Sequence, residues 1–336
     1  MIDGVFLHQN DFRKTKMTQI SVVIPVFNEQ ESLAELHNWI CRVMEGHGFS
    51  YEIIFINDGS NDGSWKEIQK LAKLNPFVKG ISFGRNYGKS AALDIGFSSV
   101  TGDVVITLDA DLQDSPDEIP QLYEMIAVDG FEVVSGWKKK RHDPISKTIP
   151  SRFFNWVTRV ISGIPLHDFN CGLKAYDRKV VKNIHLYGEM HRYIPLIAKW
   201  SGFSKIGEKV VEHRPRKYGY TKFGWERFLN GFLDLISVSF VNRYKKRPMH
   251  FFGTLGSVSF VAGFGITCWL IFQKIYGLYK GHAVREITAQ PLFFLALTAL
   301  IIGVQLFLTG FLAEMFTSNS SRKSDYNVDD ELNFKD

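Results

Sequence analysis

The chain opens with a regular alternation of two kinds of segment. Short runs rich in β-branched residues lie at 20–26 (ISVVIPV), 51–56 (YEIIFI), 78–83, 104–108 (VVITL) and 131–135. Each is bounded by Asn, Asp, Gly or Pro, the pattern of a buried strand. Between them, 31–45 carries Leu33, Leu36, Ile40 and Val43 at helical spacing, and 64–74, 89–99 and 119–128 also read as helices. This alternation predicts an α/β domain with a mostly parallel sheet covered by helices on both faces. In such sheets ligands sit beyond the carboxyl ends of the strands. The polar clusters NDGS (57–60), GRNYGK (84–89) and DADLQD (109–114) fall at those ends.

The pattern changes towards the C-terminus. No charged side chain occurs across 251–272, nor across 287–313. Each stretch is as long as the roughly 20 residues a helix needs to cross a bilayer. Two transmembrane helices are expected at about 250–272 and 289–313, within 248–316. Residues 138–141 begin a basic loop, and 149–161 reads as an amphipathic helix with Arg152 and Arg159. Residues 166–222 extend the first domain as strand, helix and strand. The apolar positions of 224–247, from Trp225 to Ile236, predict helices on the membrane surface. The partition is therefore a flexible leader (1–18), a catalytic domain (19–223), the surface helices, the two spans and a flexible tail (317–336). The first apolar run, 20–27, is too short for a secretory signal. With basic residues Lys245, Lys246, Arg247, Arg322 and Lys323 flanking the spans, the expectation is a multi-pass protein of the inner (plasma) membrane, its catalytic domain and both termini cytoplasmic.

Composition adds limits. Of 336 residues, 45% are hydrophobic and 22% charged, too apolar for disorder. A net charge of +5 does not argue for nucleic acid. The 3 cysteines are scattered, which excludes a disulfide framework and zinc-ligand spacing.

Asp109-Ala110-Asp111 carries the sharpest chemistry. Two carboxylates one residue apart at a strand end can share a hard divalent cation that bridges two phosphates; a solvated turn uses the same residues. Asn57-Asp58-Gly59-Ser60 suits ribose or base contacts as well as ordinary turn formation. Gly84-Arg85-Asn86-Tyr87-Gly88-Lys89 opens a helix and offers donors to an anion, but it is neither a P-loop nor a dinucleotide fingerprint.

Taken together and in order, VVIPVFNEQESL (22–33), NDGSNDGS (57–64), RNYGKSAAL (85–93), DADLQDSPDEI (109–119), DFNCGLKAYDR (168–178) and VEHRPRKYGYTKF (211–223) resemble the family-2 glycosyltransferases. The resemblance is strongest to the branch of dolichyl-phosphate mannose synthase and bacterial polyprenyl-phosphate glucosyltransferases. It implies a GT-A-type fold, a nucleotide-sugar donor, Mg²⁺ or Mn²⁺, and a polyprenyl (undecaprenyl or dolichyl) phosphate acceptor at the bilayer. Pro25, Asn28, Glu29 and Ala110 would line the nucleotide pocket, Asp58 would hold base or ribose, and Lys89 would sit near the donor. Asp109 and Asp111 would hold the metal with Gln113 in support, and Asp168, where many members carry an acid, would be a catalytic residue that orients the phosphate or the sugar hydroxyls. Arg192, His213, Arg216 and Lys222 would meet acceptor phosphate and diphosphate. Lys174 replaces the usual Arg. UDP-glucose is the favoured donor; GDP-mannose and a non-catalytic nucleotide-sugar-binding membrane protein are the alternatives. Paired spans also leave room for a homo-oligomer.

Overall fold

The computed structural model describes residues 18–139, 145–215, 217–218, 240, 244, 248–319 and 328–333. The chain divides into two compact units, residues 1–235 with 325–336, and residues 236–324.

The first unit is built on an eight-stranded sheet in the order β7-β5-β6-β4-β1-β2-β3-β8. Strands β1 (Ile20–Val26), β2 (Tyr51–Asn57), β3 (Val78–Phe83) and β4 (Val104–Thr107) are parallel neighbours, with β1 in the middle. Helices α1 (Gln30–Gly46), α2 (Ser64–Leu74), α3 (Lys89–Ser99) and α4 (Ile119–Ala127) connect and follow them. One face of β1 and β2, with Val22, Ile24, Ile53 and Phe55, packs with Leu33, Leu36 and Ile40 of α1 in the main core. The opposite face receives α3, which approaches closely because residue 96 is glycine: a Cβ there would lie 2.5 Å from Val23 and 3.0 Å from Ile56.

The second half of the sheet departs from simple alternation. β5 (Val133–Trp137) is two residues later than its apolar run suggests and pairs in parallel with β7 (Ile206–Val210). β6 (Lys174–Asp177) inserts between β5 and β4 and runs antiparallel to both. Helices α5 (Ile145–Ser162), α6 (Arg178–Asn183) and α7 (Ile194–Trp200) complete this half. The C-terminal tail, expected to be loose, contributes β8 (Val328–Leu332), antiparallel to β3. The backbone groups at the free edge of β3 gain partners there, and Asn333 donates to the carbonyls of Ala72 and Val78 at 3.1 and 2.8 Å.

A buried carboxylate ties the sheet together at the end opposite the polar loops. Glu52 accepts hydrogen bonds from Ser21 Oγ at 2.5 Å and from Thr101 N and Oγ1 at 2.7 and 2.9 Å, and pairs with Lys79 at 2.8 Å. Burial pushes its carboxyl up, but Lys79, Ser21 and Thr101 more than offset this and hold it below the usual value of 4.5. A depressed carboxylate stabilises the fold above its ordinary pKa and loses that contribution as pH falls. Glu52→Gln is therefore expected to cost about 2 kcal/mol at neutral pH. The difference from wild type should shrink as denaturation midpoints are measured from pH 6 down to pH 3.

The second unit is an antiparallel pair of long helices, α8 (Pro248–Tyr279) and α9 (Pro291–Asn319). Both are long and apolar enough to cross a membrane. Glycines set their approach: a Cβ on Gly256 would lie 2.7 Å from the Gly303 carbonyl, and one on Gly263 would lie 2.7 Å from that of Ala296. Small residues give apolar helices close van der Waals contact where no hydrophobic driving force acts between them. Of the surface helices expected in 224–247, only Phe240 and Tyr244 fall among the described residues, and the leader 1–17 lies outside them.

Candidate active site

The polar loops do converge at the carboxyl ends of β1, β2, β3 and β4. Leu108 N–H donates to the Val23 carbonyl at 3.2 Å, carrying the chain past the end of β4 to Asp109. Lys89, the first residue of α3, donates to Asp109 Oδ1 and forms an ion pair with it. Burial pushes the Asp109 carboxyl up, but Lys89, with Lys138 and Lys174, outweighs burial and holds it down at about 2. The pair also depends on glycine at 172, where a Cβ would stand 2.4 Å from Asp109 Oδ2. Thr107 Oγ1 holds that segment in place by donating to the Gly172 carbonyl at 2.8 Å.

Beyond Asp109 the loop turns at Leu112, whose φ of 60° lies in the left-handed region that non-glycine residues seldom adopt. Asp111 is half-buried, and its Oδ1 accepts the Gln113 N–H at 3.2 Å. Gln113 is fixed by an exchange with the strap after β7: Arg214 N–H donates to the Gln113 carbonyl at 2.9 Å, and Gln113 Nε2 to the Arg214 carbonyl at 3.4 Å. Asp114 and His213 face each other across this short antiparallel bridge.

The first two loops interlock. Asn28, at φ 54°, donates its N–H to Ser60 Oγ at 3.0 Å, and its side-chain carbonyl accepts from Asn61 N at 2.8 Å. Glu29 N–H donates to Ser64 Oγ at 3.0 Å. Pro25 lies within β1, in register with Ile56. Asp58, expected at base or ribose, is buried and engaged by protein: its two oxygens accept the N–H groups of Tyr87 and Gly88 at 2.7 and 3.0 Å. Burial nonetheless leaves its carboxyl above the ordinary value. Asp58 thus anchors the loop that presents Lys89. Gly59 permits this, because a Cβ there would fall 2.3 Å from the Arg85 backbone. Asn57 ties β2 to β3 through Ser82 Oγ at 2.9 Å.

The remaining candidates are held by contacts of their own. Asp168 is buried and accepts the Asn170 N–H at 3.0 Å, while its backbone is held by Glu208 at 3.1 Å and Ser135 at 3.1 Å. Arg192 is largely buried and pairs with Glu189 at 3.1 Å. His213 is buried, its Nδ1 4.0 Å from Asp114 Oδ1, so its place is inside the strap contact. Arg216 and Lys222 lie outside the described residues.

Two further cations belong to this region. Lys138, first residue of the run read from sequence as a basic loop, turns inward and pairs with the fully buried carboxylate of Asp114 at 2.7 Å. Lys174 is buried and donates to the Cys171 carbonyl; burial lowers its pKa. A KKKR run reads as solvated, so the sequence gives Lys138 no inward role, and it marks Lys174 only as the replacement for the Arg usual in the resembling family.

The donor set at Asp109, Asp111 and Gln113 is all oxygen, small and open. Among the described residues no group of three His, Cys, Asp or Glu side chains could enclose a metal. Magnesium-type cations are commonly held by one or two carboxylates, with phosphate oxygens and water completing the shell. An ionised Asp109 beside Asp111 fits such an ion, and Lys89 supplies the charge balance within the protein itself.

The profile described as Glycosyl transferase family 2 matches residues 21–185. The chain is 35% identical over 300 residues to dodecaprenyl-phosphate galacturonate synthase of Rhizobium johnstonii, covering 88% of this chain and 87% of that protein. It is 34% identical over 266 residues to undecaprenyl-phosphate 4-deoxy-4-formamido-L-arabinose transferase of Salmonella paratyphi B, covering 79% of each. Among solved structures, glucosyl-3-phosphoglycerate synthase from Mycobacterium tuberculosis with uridine diphosphate superposes with a TM-score of 0.52 at 19% identity, over 68% of this chain and 81% of that one, which establishes the shared fold. The protein belongs to the family-2 glycosyltransferases and is a glycosyltransferase with a GT-A-like sheet.

Proposed function

We propose that this enzyme transfers one sugar from a nucleoside-diphosphate sugar to a polyprenyl phosphate at the cytoplasmic face of the inner membrane, with inversion. The observation that carries the reading is the acidic pair Asp109/Asp111 at the strand ends, with Lys89 bound to Asp109, in a chain that also contains two membrane-length helices. The curated relatives support it, since both are named for sugar transfer to or synthesis on a polyprenyl phosphate.

A divalent cation on Asp109 and Asp111 would supply Lewis-acid neutralisation of the leaving diphosphate. The chain's own groups do the rest. The Asn28–Ser60–Asn61 interlock and the Asp58-anchored loop shape the nucleotide cleft, with Pro25, Glu29 and Ala110 at its margin. Lys89 keeps Asp109 ionised. A phosphate monoester has its second pKa near 6, so a lipid phosphate is mostly dianionic at neutral pH and needs little help from a base. What it needs is alignment and screening of the repulsion between two anions. Arg192 takes that role, together with Arg216 and Lys222. Asp168, held rigidly on both sides, orients the reacting groups. Two spans place both chain ends on one side of the bilayer, with the catalytic domain.

The test is to incubate enzyme-containing membranes with polyprenyl phosphate, Mn²⁺ and a panel of labelled donors: UDP-glucose first, then UDP-galacturonate, a UDP-formamidoarabinose and GDP-mannose. Label from one donor should enter the organic phase only when the lipid is present. Label that stays in water with every donor would refute the reading.

A further inference from the structure

Helix α3 carries a second row of contacts on a face that the donor loops do not use. Positions 90, 94 and 98 recur every four residues and so share one side of the helix. Each holds a point on the segment 182–191. The Ser98 carbonyl accepts from Lys182 Nζ at 2.6 Å. Asp94 Oδ1 accepts the Leu186 N–H at 2.7 Å and lies 3.8 Å from His185 Nδ1. At the first turn, Ser90 Oγ accepts the His191 N–H at 2.9 Å and stands 3.1 Å from His191 Nδ1.

The last contact is a double one: the Ser90 oxygen accepts the His191 backbone N–H and lies within hydrogen-bond distance of Nδ1, which also stands 4.0 Å from Glu189 Oε2. The flanking residues give the clasp its meaning. Ser90 directly follows Lys89, which binds Asp109; His191 directly precedes Arg192. One hydroxyl–imidazole pair therefore links the cation on Asp109 to the cation assigned to the acceptor phosphate.

We infer that α3 is the spacer between the donor and acceptor halves of the site, and that His191 is a positioning residue that sets Arg192 relative to Lys89 and Asp109 through Ser90. The inference rests on the lipid-phosphate reading above. His191 touches neither reactant in this arrangement; it acts through Arg192.

The experiment measures transfer kinetics in both substrates for wild type, His191→Ala, His191→Asn and Ser90→Ala, with melting temperature recorded for each. Asn offers an amide that can pair with the Ser90 hydroxyl in either direction and tests whether the hydrogen bond, not the ring volume, matters. The expected result is a roughly tenfold rise in acceptor KM for His191→Ala and Ser90→Ala. Donor KM should be unchanged, and His191→Asn should recover most of the loss. Equal impairment by Ala and Asn, or parallel changes in both KM values, would show that His191 only fills space. Unaltered acceptor kinetics in His191→Ala, with wild type active on the lipid, would overturn the inference alone. A wild type that transfers nothing to the lipid would overturn both it and the reading beneath it.

Discussion

Asp111→Asn is expected to reduce sugar transfer on the order of a thousandfold while leaving the protein folded and membrane-bound. Asp111 is half-buried, and its Oδ1 accepts the neighbouring Gln113 N–H, a bond that an amide oxygen can also accept. On the proposed reading the loss falls on catalysis, because a neutral amide there would leave one carboxylate of the pair to hold a divalent cation against the developing diphosphate. Steady-state transfer across a Mn²⁺ titration, with melting temperature as the folding control, checks this. Turnover within a factor of a few of wild type would remove Asp111 from the reaction.

Lys138→Met should instead be felt in stability. It removes the cation 2.7 Å from Asp114, whose carboxylate is wholly buried, and leaves that charge beneath the acidic loop. Breaking a buried pair from one side typically costs about 3–5 kcal/mol, whereas replacing both partners with apolar groups of similar volume is often close to neutral. The double variant Lys138→Met/Asp114→Leu should therefore recover much of the lost stability in denaturant titrations. It should still lose activity, because Asp114 sits in the bridge that aligns Gln113 with the 213–214 strap. If the double variant is no more stable than the single one, the ion pair is not what fixes this corner.

These two cases mark what could be read from the sequence. Strands β1, β2, β3 and β4 and the helices between them follow from local periodicity, and the acidic pair follows from its place directly after an apolar run. The antiparallel insertion of β6 does not, because KAYD is short and its partners come from distant segments. Lys138 reads as part of a basic loop and Asp114 as part of the acidic DADLQD cluster, and neither reading shows that the two close against one another. The polar VDDEL of β8 lacks the alternation of a half-buried strand, as suits an edge where charge discourages further pairing. His191 carries no signal at all, since its meaning lies in a contact with Ser90 on another element. Asp58 shows the opposite effect: its position was clear, but its oxygens are engaged by the Tyr87 and Gly88 backbone, a detail only geometry reveals.

The central claim is that the acidic pair at the end of β4 receives a divalent cation together with a sugar nucleotide. The most direct measurement is anomalous scattering from crystals of the intact protein grown with Mn²⁺ and UDP. The account predicts a manganese peak within bonding distance of Asp109 and Asp111, with the diphosphate beside it. A nucleotide bound elsewhere, with no peak at the pair, would contradict it.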